Sequence, residues 1–400
     1  MTGAPSDQPA KLGPDTRAVR TGIARSQFAE TSEGLYLTSG YVYENAAEAA
    51  AAFAGETDRY MYSRFGNPSL TAFADRLAAL EGAQACFPTA SGMAAVFNAL
   101  LALTSAGDRI VASRNLFGSC YTILDEILPR YGVHTDFVDG TDLDQWRAAL
   151  AAPARAVFFE SPSNPMLEVV DVAAVCALAH DAGAVVVADN AMASPAVQQP
   201  TRLGADIVVY STTKHIDGQG RTLGGAILGP ADFVTGPVKT LIRNTGPTMS
   251  PLSAWVALKG LETLRLRVDA AQAAALAVAR HLEQHPRVAW VRYPFLESHP
   301  QHDLARAQMT GGGTLVTFAV TGGDAAQDDA FAVLDRLRLF DISNNFGDAK
   351  SLVTHPATTT HHRIGPEARA AVGITDATIR LSVGLEDVAD LLADLDEALG

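Results

Sequence analysis

Between residues 109 and 210 the chain alternates short apolar segments with helical segments, and this alternation limits its fold more than any other feature. Two segments, Val185–Ala188 and Ile207–Tyr210, are continuously apolar, as expected for central strands covered on both faces. Strands that alternate with helices need crossover connections and form a mostly parallel sheet. The sequence therefore predicts an α/β fold. The predicted strands are Arg109–Ser113, Val133–Val138, Ala156–Glu160, Val185–Asp189 and Ile207–Tyr210, and the helices between them are Tyr121–Tyr131, Asp142–Ala151 and Asp171–Ala182.

The flanking regions predict three parts. Residues 1–65 show no strong periodicity apart from an Ala-rich helix near Ala46–Ala54, and we interpret them as an N-terminal arm that contacts a neighbouring subunit. Residues 66–265 are predicted to form a large domain, and residues 266–400 a smaller α+β C-terminal domain. A helical stretch from Pro251 to His285 would bridge the two domains. Further helices are predicted from Ser69 to Gly82, after Ser91–Gly92, at Phe331–Leu339 and at Asp387–Leu399, with C-terminal strands near Val288–Val291, Thr314–Val320, Ser351–Thr354 and Thr378–Val383.

The charge balance argues against nucleic acid or an anionic membrane as a partner. The chain has 400 residues with 30 Lys and Arg against 44 Asp and Glu, a net charge of −14, and no block of basic residues. Its polar N-terminus predicts no signal peptide and its apolar runs are too short to span a membrane, so a cytoplasmic location is expected. Cys86, Cys120 and Cys176 fit neither a disulfide framework nor a C-x-x-C site. The adjacent His361 and His362 are predicted to belong to the surface or a loop and not to a metal site.

Lysine is rare in this chain, so a lysine next to a predicted buried strand is a candidate for a chemical role. Only five lysines occur, and Lys214 lies just beyond the apolar strand 207–210. Asp189 ends the preceding strand, and ligands bind at the carboxyl ends of parallel strands. Ser91-Gly92-Met93 opens a helix whose free N–H groups suit a phosphate. A lysine, an acid and a phosphate site together meet the requirements of pyridoxal phosphate, although Asp189 alone could be a helix cap and Lys214 alone a surface lysine.

The sequence resembles the trans-sulfuration (Cys/Met-metabolism) family of pyridoxal-phosphate enzymes over nearly its whole length. The resemblance implies the PLP-dependent transferase fold type I, which is aspartate aminotransferase-like, with pyridoxal 5'-phosphate as cofactor. Six ordered motifs carry it: Tyr62-Ser63-Arg64-Phe65-Gly66-Asn67-Pro68, Ser91-Gly92-Met93, Glu160-Ser161-Pro162-Ser163-Asn164-Pro165, Asp189-Asn190, Ser211-Thr212-Thr213-Lys214 and Ile379-Arg380-Leu381-Ser382-Val383-Gly384.

Carried over to these positions, the resemblance implies a role for each residue. Lys214 would bond covalently to the cofactor, and Asp189 would pair with its pyridine nitrogen. Asn164 would lie beside the cofactor's phenolic oxygen and near the substrate, and Arg380 would bind the substrate α-carboxylate, with Asn345 close to it. Tyr62 and Arg64 would reach the phosphate from a neighbouring subunit, which implies shared active sites in a homotetramer built from dimers. The phosphate would otherwise be held by Ser91, Gly92, Met93, Ser211 and Thr213.

Three departures from the family pattern affect the expected chemistry. Phe117 stands where most relatives have a tyrosine stacked on the cofactor, so no phenol there can act as acid or base, and Tyr62 is expected to assist Lys214 instead. Neither Ser119 nor Cys120 clearly reproduces the cysteine of methionine γ-lyases. The relatives' Ser-Leu-Gly becomes Asn345-Phe346-Gly347. Phe117 together with Asn344-Asn345 resembles the O-succinylhomoserine sulfhydrylase branch of the family.

The resemblance therefore implies γ-replacement on a homoserine ester. The expected reaction converts O-succinylhomoserine and sulfide into homocysteine and succinate, in methionine biosynthesis. Cystathionine γ-synthase, with cysteine as nucleophile, is an alternative, as are an O-acetylhomoserine sulfhydrylase and a methionine γ-lyase or cystathionine lyase. A non-catalytic binding protein with a decayed site conflicts with the complete set of lysine, acid and phosphate-binding residues.

Overall fold

A computed structural model describes residues 12–322 and 326–400 of the chain. Two β-sheets with helices packed on them make up these residues. The α/β prediction is confirmed, with a mostly parallel central sheet and a second, smaller sheet in the C-terminal part. Residues 1–11 of the predicted arm lie outside the described residues.

The larger sheet has seven strands within residues 12–322, in the order β1-β7-β6-β5-β4-β2-β3. β7 runs antiparallel to both of its neighbours, β1 and β6, while β6, β5, β4, β2 and β3 are parallel. The sequence did not predict β1, which contains Pro88, or β7, which begins and ends with glycine; proline suits an edge strand such as β1. The strands are β1 Ala85–Thr89, β2 Arg109–Ser113, β3 His134–Val138, β4 Ala156–Glu160, β5 Val185–Asp189, β6 Ile207–Ser211 and β7 Gly225–Gly229.

Helices cover both faces of this sheet, which explains why its central strands are apolar throughout. Phe158 and Val187 pack in one apolar core, and their chain neighbours Phe159 and Val186 pack in the core on the opposite face. The helices of this part are α1 Pro14–Arg20, α2 Ala46–Ala54, α3 Pro68–Glu81, α4 Gly92–Leu103, α5 Gly118–Thr122, α6 Leu143–Leu150, α7 Val172–Asp181, α8 Ser194–Val197, α9 Ala231–Phe233, α10 Lys239–Thr245 and α11 Pro251–Glu262.

The second sheet has five strands among the described residues, in the order β10-β11-β12-β9-β8. Its core includes apolar residues of the helices α12, α14 and α16. The elements are β8 Val288–Arg292, β9 Leu315–Val320, β10 Asp341–Ile342, β11 Leu352–Thr354 and β12 Thr378–Ser382, with α12 Leu264–Glu283, α13 His302–Gln308, α14 Ala326–Arg336, α15 Gly365–Ala371 and α16 Val388–Leu399.

The helical stretch predicted from Pro251 to His285 is two helices, because the backbone breaks at Thr263 between α11 and α12. α12 contributes Leu264 and Val268 to a core of the larger sheet, and residues from Ala274 onward to the core of the smaller sheet. One helix therefore joins the two cores.

The bounds of two other predicted helices differ in the structure. The helix predicted at Phe331–Leu339 is α14, which ends at Arg336. The helix predicted at Tyr121–Tyr131 starts earlier, with α5, and continues as a π-helical segment Ile123–Ile127 and a 3-10 turn Leu128–Tyr131. Further short segments of these types are Pro200–Leu203, Val234–Val238 and Pro356–Thr358. None of the helices in residues 12–322 and 326–400 is long and apolar enough to cross a membrane.

Candidate active site

A cavity of about 360 Å³ lies where β4, β5 and β6 end and helix α4 begins. The carboxyl ends of parallel strands are where α/β sheets bind ligands. Ten of the residues predicted for the site line this cavity, and Arg380, Tyr62 and Arg64 do not. The lining residues are Ser91, Gly92, Met93, Phe117, Cys120, Glu160, Asn164, Asp189, Ala191, Ser211, Thr213, Lys214, Leu223, Asn344, Asn345 and Phe346.

Asp189 and Glu160 place two carboxyl groups side by side on one wall of the cavity. They are register partners at the ends of the parallel strands β5 and β4, and both are buried. Burial raises the pKa of Asp189 to about 6, although the backbone N–H of Ala191 opposes this by donating to its carboxylate. Burial and the neighbouring Asp189 raise the pKa of Glu160 well above its usual value, while the backbone N–H of Phe117 donates to Glu160 at 2.7 Å. Two buried carboxyls this close cannot both ionise easily, so Glu160 keeps the proton.

Lys214 brings a primary amine into the same cavity. Burial lowers its pKa to about 8; the nearby positive charge of Arg380 acts in the same direction, and Glu160 opposes it. The Nζ atom donates a hydrogen bond to Oδ1 of Asn345 and lies 4.5 Å from the centre of the Phe346 ring. An amine with this pKa exchanges its proton near neutral pH and is a good nucleophile toward an aldehyde.

The start of helix α4 provides the features of a phosphate site. The Ser91 side chain caps the helix by accepting from the Ala94 N–H, which leaves the N–H groups of Gly92 and Met93 without partners in the helix. A methyl group at position 92 would lie 2.7 Å from Cβ and 2.9 Å from Oγ of Ser211, so only glycine permits this close approach. Helix N-termini bind phosphate through free N–H groups and the helix dipole.

Arg380 lies behind the cavity wall and holds three of the residues that line it. Its Nη1 donates to Oδ1 of Asn164 at 2.9 Å, and its Nη2 donates to the carbonyls of Asn344 and Asn345, each at 3.0 Å. The side chain is fully buried, and its Nε–H has no protein partner within the described residues. A buried guanidinium with a free N–H can bind a carboxylate.

Tyr62 and Arg64 are not brought to the cavity of their own chain. Tyr62 is exposed, and the Arg64 guanidinium donates to the carbonyl of Arg243 and lies 4.9 Å from the centre of the Phe65 ring. The other predicted phosphate ligands Ser211 and Thr213 line the cavity, where Thr213 already bonds to Gly224.

Four side chains of chemical interest at the cavity had no role assigned from the sequence. Glu160, Cys120 and Phe346 line it, and His361 lies beneath it, where its ring is 3.1 Å from the Asn164 carbonyl. The prediction that His361 belongs to the surface or a loop is right about the loop and wrong about the surface, because only 2% of the residue is exposed. Glu160 could have been found by the signal that selected Asp189, since both end buried parallel strands. Within the described residues no group of His, Cys, Asp and Glu side chains has the arrangement of a metal site.

The geometry matches pyridoxal phosphate in each of its parts. Lys214 supplies the amine, Asp189 a carboxylate at the end of the adjacent parallel strand, and Gly92 a helix start open enough for a phosphate. The cavity is large enough for a ring of this size, and Phe117 lines it as an aromatic surface for stacking.

Comparison with known proteins decides the family. The model of the family described as Cys/Met metabolism PLP-dependent enzymes matches residues 15–400. The chain belongs to this family. Its cofactor is pyridoxal phosphate, as the resemblance and the geometry both indicated.

Individual relatives agree with this placement. An O-succinylhomoserine sulfhydrylase of Mycobacterium tuberculosis is 60% identical over 405 aligned residues that span the whole of both chains. Another O-succinylhomoserine sulfhydrylase, from Pseudomonas aeruginosa, is 47% identical over 96% of this chain and 94% of its own. A solved structure from Campylobacter jejuni, of a protein assigned as an O-acetylhomoserine (thiol)-lyase, carries a pyridoxyl-lysine-phosphate group. It is 32% identical, covers 97% of this chain and 100% of its own, and superimposes with a TM-score of 0.92, which confirms the predicted fold type.

Proposed function

We propose that this enzyme converts O-succinylhomoserine and sulfide into homocysteine and succinate, as a step of methionine biosynthesis. The observation that carries the proposal is the full-length identity of 60% and 47% to two O-succinylhomoserine sulfhydrylases. The cavity that gathers Lys214, Asp189 and the start of α4 supports it, because these are the groups that a pyridoxal-phosphate reaction needs. The reaction breaks the C–O bond at Cγ and forms a C–S bond there, with no net oxidation.

When bound, pyridoxal phosphate draws electrons from the substrate and so eases removal of protons next to the amino group. Asp189 maintains that electron-withdrawing character by keeping a negative charge at the pyridine nitrogen. Lys214 is the base and acid that moves protons on the substrate carbons, because its amine has a pKa of about 8 and is half neutral near that pH. Arg380 binds the α-carboxylate through its free Nε–H and thereby fixes the orientation of the substrate.

The neighbouring subunit completes the site in this proposal. Tyr62 and Arg64 lie outside the cavity of their own chain, Tyr62 is 42% exposed, and the half-buried Arg64 guanidinium has further N–H groups besides the one that donates to Arg243, so both can contact a second copy. We propose that they bind the phosphate of that copy, that Tyr62 assists Lys214 in proton transfer, and that the enzyme is a homotetramer of dimers. The cytoplasmic location stays a prediction from the sequence.

The deciding experiment is product analysis with purified enzyme. O-succinylhomoserine and O-acetylhomoserine are each incubated with sulfide, with cysteine, or with no nucleophile. Homocysteine forming fastest from the succinyl ester and sulfide is the expected result. Preferential cystathionine would instead identify a synthase, faster reaction of the acetyl ester an O-acetylhomoserine sulfhydrylase, and 2-oxobutyrate without a nucleophile a lyase.

A pair of lysine variants tests the assignment of Lys214. Lys214→Ala should make no product and lose the yellow colour of the bound cofactor. Lys239→Ala is the matched control, because Lys239 is exposed on α10 and should leave both properties unchanged. Loss of colour in neither variant would contradict the assignment of Lys214.

A further inference from the structure

The ring of Phe346 lies close to both positive side chains of the active site. It is 5% exposed and packs against Leu167, Met192 and Leu315. Lys214 Nζ is 4.5 Å from the ring centre, and the Arg380 guanidinium carbon is 5.5 Å from it. The face of an aromatic ring attracts a cation within about 6 Å. One buried ring therefore contacts both cations.

The loop that carries Phe346 is attached to the elements that carry those cations. The Gly347 N–H donates to Oγ of Ser382, two residues after Arg380 on β12, at 2.9 Å. Gly347 has φ +75°, and a Cβ there would lie 2.7 Å from the backbone nitrogen of His215, the residue after Lys214. The turn thus needs glycine at position 347 for its backbone conformation and for its close approach to His215. This turn fixes the position of the Phe346 ring.

Placing two positive groups in one buried site is unfavourable unless the surroundings compensate. Arg380 lowers the pKa of Lys214, while the nearby Glu160 acts in the other direction. The loop compensates with neutral groups, because the carbonyls of Asn344 and Asn345 accept from Arg380 and the Asn345 side chain accepts from Lys214. The ring face adds to this set without introducing a negative charge that could pair permanently with either cation.

We propose that Phe346 is a positioning residue whose ring face holds the free amine of Lys214 and the guanidinium of Arg380 at a defined separation. The amine then stays within reach of the cavity whenever it is free, instead of turning away from Arg380. The consequence for turnover rests on the proposed roles of Lys214 and Arg380 in the reaction; the contact itself does not depend on them.

The test measures the pKa of Lys214 in the full-length protein from which cofactor has been removed. Trace labelling with acetic anhydride across a pH series, read by mass spectrometry of the peptides, reports each of the five lysines separately. The exposed Lys239 is the internal reference. Phe346→Leu keeps an apolar side chain but has no ring, and should lower the pKa of Lys214 by about half a unit, roughly a threefold change in labelling at a fixed pH.

A second replacement preserves the shape of the side chain. Trifluorophenylalanine at position 346 keeps the ring but weakens its attraction for cations, and should lower the pKa of Lys214 in the same direction. Asn344→Ala is the matched control, because this exposed side chain belongs to the same loop and its carbonyl contact with Arg380 is retained. Lys239 should titrate identically in all four proteins.

An unchanged Lys214 titration in both Phe346 replacements would overturn the proposal. A shift in the leucine variant without one in the fluorinated variant would also overturn it, since shape rather than charge attraction would then be responsible. The labelling uses no substrate, so it stands apart from the proposed function. A protein that shows the shift but makes no homocysteine would retain the contact and refute the proposed reaction.

Discussion

At the scale of residues, Glu160 and Asp189 occupy equivalent positions at strand ends but differ in their protonation. Both end apolar parallel strands, both are buried, and they are register partners. Only Glu160 accepts the backbone N–H of Phe117, and only Asp189 accepts that of Ala191. Because the two carboxyls share one low-dielectric wall, one of them keeps its proton at neutral pH.

Glu160→Gln should therefore resemble the native enzyme in stability and in cofactor affinity, because glutamine mimics the protonated acid and still accepts from Phe117. The infrared signal of a protonated carboxylic acid at pH 7 should decrease in this variant. Asp189→Asn is the contrasting variant and should lose cofactor affinity, since an amide cannot carry the negative charge. Loss of affinity in Glu160→Gln equal to that in Asp189→Asn would show that Glu160 is the ionised partner.

Arg380→Lys should weaken binding of the amino-acid substrate more than it slows the chemical step. Lysine keeps the charge but loses the planar set of donors that reaches Asn164 and two loop carbonyls. We expect KM for the homoserine ester to rise by about tenfold or more, the loss of roughly one charge-assisted hydrogen bond. Steady-state kinetics measures this, with the exposed Arg338→Lys as control; an unchanged KM would place the carboxylate elsewhere.

At the scale of elements, the start of α4 can serve as a phosphate site because it lies against the end of β6. A helix start alone occurs many times in the fold, but Gly92 is the one that lies against Ser211 in the cavity. The helix dipole and free N–H groups then act at the same point as the Ser211 hydroxyl.

Gly92→Ala should weaken binding of pyridoxal phosphate by about tenfold or more, because the added methyl group would push α4 and β6 apart at the proposed phosphate site. Binding of pyridoxal, which has no phosphate, should change much less. Absorbance titration of both compounds measures the difference. Gly236→Ala is the control, since a methyl group there meets nothing within 4 Å. Equal losses for pyridoxal and pyridoxal phosphate would indicate general distortion instead of a phosphate site.

At the scale of the whole molecule, a buried ion cluster fastens the N-terminal segment to the larger sheet domain. Glu33 accepts from Arg76 on α3 and from Lys259 on α11, and the Trp255 ring N–H donates to its carbonyl at 2.9 Å. Burial alone would raise the pKa of Glu33, but the bonds from Lys259 and Arg76 outweigh it and lower the pKa to about 2. The ion pairs of Glu33 thus join the N-terminal segment to the larger sheet domain, and breaking them would leave a buried charge without a partner.

Glu33→Gln should loosen this junction at neutral pH by up to about 3 kcal/mol, from the difference between the ordinary pKa of 4.5 and the folded value of about 2. A lowered pKa means that this stability is fully present above about pH 4.5 and is lost as the pH falls toward 2. Urea-dependent hydrogen exchange in residues 21–36, at pH 7 and at pH 3, measures the effect, which should be smaller at pH 3.

The matched control for this junction is Glu397→Gln, which breaks an exposed ion pair with Arg338. It should change the stability by less than about 1 kcal/mol. An effect of Glu33→Gln that is equal at both pH values would show that packing, not charge, holds the segment.

The sequence alone determined the α/β class, the family and most of the cavity. Continuous apolar runs reveal strands buried on both faces, and strand ends reveal Asp189 and Lys214, because both signals are local along the chain. The edge strand β1 and the antiparallel β7 escaped prediction, since a proline-containing strand and a strand bounded by glycines carry little local signal.

Residues that are distant along the chain come together only in the folded molecule. Phe346 contacts both Lys214 and Arg380, and Glu160 lies beside Asp189, although each comes from a different segment. Their protonation and contacts follow from burial and from neighbours far away in the chain. Burial and long-range contacts arise only when the chain has folded, so the sequence determined which groups are present and the folded structure decided what charge each one carries.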